Sequence, residues 1–162
     1  ESVVCAAINY CKENAYYSAI ASLSEDSTPE ELSQVVRTIV NSEVTDLFRL
    51  DRPVWHAQVI YQLLQHDDEL SQLFRTEMLE PSMEALGRFF RLAKPGIGPE
   101  ETFQRIVILK MPIFGHANYM TIFLSRLEAS AYSEDYLQGF EDLLVRQTQL
   151  SLGLPVDEDQ ED

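Results

Sequence analysis

Apolar residues recur at three- and four-residue steps along most of this chain, and no stretch alternates apolar with polar positions as a half-buried strand would. That periodicity leaves helices as the carriers of the fold. Val4, Ala7, Ile8, Cys11, Ala15 and Ala19 form one stripe, and Leu32, Val35, Val36, Ile39, Val40, Glu43 and Leu47 form a second. Trp55, Val59, Ile60, Leu63 and Leu64 make a third, and Leu70, Leu73, Phe74, Met78 and Leu79 a fourth, which resumes past Pro81 at Met83, Leu86, Phe89, Phe90 and Leu92.

The punctuation agrees. Thr28-Pro29-Glu30-Glu31 is a helix start, with Thr28 as cap, Pro29 in the first turn and Glu31 completing a capping box. Asp51 with Pro53, Asp67 or Asp68, and Ser133-Glu134-Asp135 open further helices. Lys94 to Pro99, with two prolines and two glycines, is a loop, and Gly153 and Pro155 close the last helix. The spacing predicts a long helix from about Glu100 to Leu127, kinked near Pro112. With 162 residues and neither a repeat nor an internal composition shift, one domain is expected. The expected fold is all-α: an antiparallel bundle of about six or more helices over residues 1–153, followed by a disordered acidic tail at 154–162.

Charge narrows the partners. Twelve basic residues against 27 acidic ones give −15, and −10 remains when the five acids of the last six residues are set aside. Such a chain repels a phosphate backbone, because nucleic-acid affinity is supplied mainly by lysine and arginine. No signal peptide opens the chain, and its start at Glu1 is expected to reflect processing, trimming or excision from something longer. Cys5 and Cys11, six helical residues apart, stand ~9 Å apart along the axis, too far for a disulfide, and a reducing cytoplasm fits. The apolar run from Ile106 to Leu124 has the length of a membrane span, but Lys110, His116 and Asn118 within it are costly in lipid, and a core helix is expected.

Enzyme signatures are missing: there is no phosphate loop, no nucleophile elbow and no zinc-type pairing of cysteines or histidines. His66-Asp67 has the form of a metal-ligating dipeptide but reads as a helix start, and Glu77, Glu80 and Glu84 read as a solvated face. No catalytic residue, metal or cofactor is expected. The polar residues His56, His116, Asn118 and Tyr119 fall within otherwise apolar, aromatic-rich segments, where burial demands partners. Apolar walls with a few convergent polar groups describe a small-molecule pocket. Trp55, Phe90, Met111, Phe114 and Tyr119 are its expected walls, with His56 or His116 as polar anchor.

Several short motifs stand in a fixed order: Arg52-Pro53-Val54-Trp55-His56-Ala57, then Glu80-Pro81, then Gly115-His116-Ala117-Asn118-Tyr119, then Tyr132-Ser133-Glu134-Asp135-Tyr136-Leu137. Over residues 1–153 this order resembles the C-terminal effector-binding and dimerisation half of TetR-family transcriptional regulators. The resemblance implies a helical bundle that dimerises through its last two long helices, binds an effector among its middle helices, and reaches DNA only through an N-terminal head. That head has no counterpart in this chain.

The expected dimer seam takes Ile122 from the long apolar helix and Leu137, Phe140 and Leu144 from the last one. The expected function is a cytoplasmic, ligand-sensing, homodimeric regulatory domain for a small, largely apolar or aromatic effector. An acidic effector is disfavoured in a chain this short of cations, with Arg88, Arg91 or Lys110 as the groups to pair with one. The alternative is a helical protein–protein adaptor without a small-molecule site, and a helical metal-dependent enzyme is the third class.

Overall fold

Three of the helix starts are set by side-chain caps. The structure is a computed structural model describing residues 15–49 and 65–156, and all regular structure there is helical. In chain order the helices are α1 (Ala15–Ser22), α2 (Pro29–Val44), α3 (Glu69–Phe74), α4 (Glu80–Ala93), α5 (Pro99–Asn118), α6 (Met120–Arg126) and α7 (Glu134–Leu152). At α2 the Thr28 hydroxyl accepts from the Glu31 amide at 3.2 Å and the Glu31 carboxylate accepts from the Thr28 amide at 2.8 Å, satisfying two otherwise orphaned donors. Asp68 caps α3 through the Ser71 amide, and Ser133 caps α7 through the Tyr136 amide. The third expected helix, with Trp55 and His56, lies outside the described residues.

Two wide, π-type turns interrupt the regular spacing, at Thr45–Arg49 after α2 and at Arg75–Leu79 between α3 and α4. The second has a local cause. Pro81 has no amide to give the carbonyl four residues earlier, so the chain takes up the wider bonding before α4 resumes.

The long helix expected from about Glu100 to Leu127 is divided in two. Helix α5 runs through Pro112, and the chain instead bends by 75° between α5 and α6, around Tyr119. Pro112 deprives the Ile108 carbonyl of its helical donor, but Ile108 is exposed, so water can serve there. Among the described residues no single helix is long and apolar enough to cross a membrane. Together α5 and α6 have that length and composition, but they are the bent pair.

One core joins α1, α2, α4, α5 and α7. Tyr16, Ile20, Val36, Ile39, Val40, Leu86, Phe89, Phe90, Ile106, Ile113, Leu144 and Val145 are all buried in it. Helix α2 packs against α7 in opposite direction, joined by Ser33 to Gln149, Arg37 to Asp142 and Asn41 to Glu141. The pairs Arg105–Ser151 and His116–Tyr136 run α5 antiparallel to α7 as well. The bundle is not antiparallel throughout: Tyr16 meets Ser82, and Arg88 donates to the Ile20 and Leu23 carbonyls, so α1 and α4 run the same way.

The chain stays packed slightly beyond the expected boundary at residue 153. Gly153 takes the left-handed conformation (φ 67°) that ends α7. Leu154 then folds back into the core, and the Ser33 hydroxyl donates to the Pro155 carbonyl at 2.6 Å.

Candidate functional site

Four polar side chains from four helices meet inside the apolar core. Lys110 of α5 extends its ammonium to Glu43 Oε1 of α2 at 2.9 Å and to Ser82 Oγ of α4 at 3.1 Å. The Tyr16 hydroxyl of α1 donates to the same Ser82 oxygen at 3.0 Å. The Lys110 and Glu43 side chains are 11% and 13% exposed, so the pair sits at the edge of the interior rather than in water. The Phe114 ring lies under the ammonium, 5.6 Å from Nζ to the ring centre.

Local helix geometry explains why these residues point inward. Glu43 falls on the stripe of Val36, Ile39 and Val40, and Lys110 on that of Ile106 and Ile113. Each charge therefore stands where its helix presents an apolar face, and each is tolerable there because the other meets it. The cluster gains little stability for the fold: an apolar pair of similar volume in such a place is commonly neutral or more stable.

The Ser82–Lys110–Tyr16 grouping has the residue types of a serine nucleophile with a lysine and a tyrosine beside it. Lys110 Nζ and the Tyr16 hydroxyl lie 3.1 Å and 3.0 Å from Ser82 Oγ, and the ammonium is also held by the Glu43 carboxylate. Burial, with the Glu43 carboxylate adding to it, pushes the Tyr16 phenol far above the usual tyrosine range.

The residues expected to wall a pocket are not gathered in one place. Phe90 is in the core, edge-on to Phe89. Phe114 is half-buried at Lys110, whereas Met111 and Tyr119 are exposed. Trp55 and His56 lie outside the described residues. His116, the expected polar anchor, is satisfied within the chain. Its Nδ1 donates to the Pro112 carbonyl at 2.8 Å, and its Nε2 accepts from the Tyr136 hydroxyl at 2.9 Å in the neutral ring. Phe140, Phe123, Tyr132 and Tyr136 surround it, the Phe140 ring centre 4.0 Å away. Burial in this aromatic group pushes the Tyr132 phenol up to about 12, with Tyr136 contributing.

The seam residues divide in the same way. Ile122 is exposed, but Leu137 and Leu144 are each only 4% exposed and face the core, and Phe140 is half-buried beneath His116. The apolar side chains that α7 turns outward are Leu143 and Leu150, 70% and 62% exposed, seven residues apart on one face. Its antiparallel neighbour α5 exposes Phe103, Ile108 and Met111.

A second buried charge ties the end of α2 to α7. Glu141, almost fully buried, accepts from Arg49 at 2.7 Å and from Asn41 at 2.7 Å, and Arg49 also reaches Glu134. Among the described residues, no three His, Cys, Asp or Glu side chains gather to hold a metal ion. Tyr16, Glu43 and Ser82 were not among the expected site residues. The available signal was a charge on each of two apolar stripes, opposite in sign.

Neither protein-family models, curated proteins nor solved structures contain a match to this chain.

Proposed function

We propose that this chain is the ligand-sensing and dimerising regulatory domain of a TetR-like transcriptional repressor, working in the cytoplasm without catalysis and reaching DNA only through a separate head. The observation that carries the reading is the Lys110–Glu43–Ser82–Tyr16 cluster. A small molecule bound there touches α1, α2, α4 and α5 together, so its binding energy acts directly on how four helices sit. Dimerisation is supported by the outward apolar side chains of α5 and α7, which a second copy related by twofold symmetry would cover.

Native mass spectrometry of the purified full chain tests both parts together. The expected result is a species near twice 18.6 kDa that releases a low-mass component on denaturation. A monomer without such a component at micromolar concentration overturns the proposal. The exposed Leu70 and Leu73 of α3 favour a second reading, a helical protein–protein adaptor without a small-molecule site. An adaptor retains no small molecule.

A further inference from the structure

Resting on the reading of the Lys110 cluster as the sensing site, we propose that its ligand is a small, otherwise apolar carboxylic acid whose carboxylate replaces Glu43 as the partner of Lys110. The argument begins with hydrogens. An ammonium has three, and Lys110 directs two of them to Glu43 and Ser82. The Ser82 hydroxyl accepts from Lys110 and shares a hydrogen bond with the Tyr16 hydroxyl. The Tyr16 and Ser82 hydroxyls can each serve the other, so the hydrogen the cluster leaves over is the third one on the Lys110 ammonium. An acceptor group with two oxygens, placed against Lys110 and Ser82, uses what the cluster leaves over.

Charge fixes the class. The cluster contains one cation, which a singly charged carboxylate matches and a doubly charged phosphate does not. Of the three cations that the sequence singles out for an acidic ligand, Arg88 is engaged with the Ile20 and Leu23 carbonyls and Arg91 is exposed. Lys110 alone of these joins a buried polar cluster. One helical turn from the four polar residues stand Ile20, Ile39, Leu86, Ile106 and Phe114, so an apolar body matches the surroundings of the cluster.

Glu43 is then an internal stand-in for the ligand. Its side chain is at the partly exposed rim of the site, and its hydrogen bond is to Lys110. It lies one residue before the last residue of α2, next to the wide turn Thr45–Arg49. Arg49, closing that turn, is bound to Glu134 and Glu141 of α7. Displacement of Glu43 therefore acts on the stretch of chain that anchors α2 to the helix carrying Leu143 and Leu150.

The test is isothermal titration of the full chain with acetate, benzoate and decanoate, each beside its neutral primary amide. Benzoate or decanoate should bind at least about tenfold more tightly than its amide, the expected scale for a charge-assisted bond. Glu43→Gln should tighten acid binding by removing the internal competitor, Ser82→Ala should weaken it, and Lys110→Met should abolish it. Should Lys110→Met fail to fold, the Glu43→Gln and Ser82→Ala arms still decide. The inference is overturned if no acid binds, if amides bind as well as acids, or if Glu43→Gln weakens binding. A dimer that retains a neutral small molecule would remove this inference and leave the sensing function standing.

Discussion

Replacing Lys110 by methionine keeps most of the side-chain volume and removes only the charge and its donors. The Glu43 carboxylate, 13% exposed, would then face an apolar core without the ammonium now 2.9 Å away. Breaking a fully buried pair from one side costs about 3–5 kcal/mol. Glu43 stands near the rim and can turn partly to water, which brings the expected loss down to about 2–3 kcal/mol. For a chain of this length each kcal/mol moves the melting temperature by about 2–4 °C, so a fall of about 4–12 °C follows. Glu43→Leu should cost a similar amount by stranding the ammonium. The double variant, with an apolar pair in the same space, should return to near the parent stability or exceed it. Far-ultraviolet circular dichroism during thermal and urea unfolding reads all four proteins, at one protein concentration because any self-association would shift apparent stability. Two single variants within about 0.5 kcal/mol of the parent would refute the argument. So would a double variant whose loss equals the sum of the singles, since the two charges would then not depend on each other.

The outer face of α7 is expected to hold a dimer, so Leu143→Glu with Leu150→Glu should give a monomer by light scattering while helicity persists, because both side chains are exposed; an unchanged dimer would place the seam elsewhere. His116→Leu should lower stability by about 1–2 kcal/mol in urea unfolding by stranding the Tyr136 hydroxyl, and an equal or higher stability would deny the internal role of the ring. Hydrogen bonds from the Ser71 amide, then from its hydroxyl, hold Asp68 below the usual aspartate range, so the α3 cap is present at neutral pH and lost as pH falls below about 4. The Ser71 amide resonance should titrate with a midpoint lower than that of an unfolded-chain aspartate, and a midpoint at or above it contradicts the cap.

Local chemistry is why so much of the fold was legible. Thr28, Asp68, Ser133 and Gly153 act through hydrogen bonds to residues within a few positions, so the helix boundaries they set can be read from short strings. The bend escaped for a related reason. A proline in a helix is a local defect, but whether the helix turns there depends on whether the freed carbonyl needs rescue. At Ile108 it lies on an exposed stretch, and the measured 75° turn comes seven residues after Pro112, at Tyr119.

The site was harder because its members meet only through packing. Periodicity shows that α7 has a stripe through Leu137, Phe140 and Leu144, yet a second stripe through Leu143 and Leu150 is nearly as apolar, and spacing alone does not say which turns inward. The buried side holds Glu141, Thr148 and Gln149, which average apolarity would assign to water. They lie inside because α2 offers Asn41, Ser33 and, just beyond its end, Arg49, while Thr148 bonds back to its own helix at the Leu144 carbonyl. The same holds for Glu43 and Lys110. Each alone is a misplaced charge on an apolar face, and nothing within four residues of either resolves it. The resolution lies 67 positions away along the chain, where two charges of opposite sign make each other's burial possible. A polar residue that breaks an apolar stripe is therefore most informative when a second stripe is broken by its complement, because a core that closes over one must find the other.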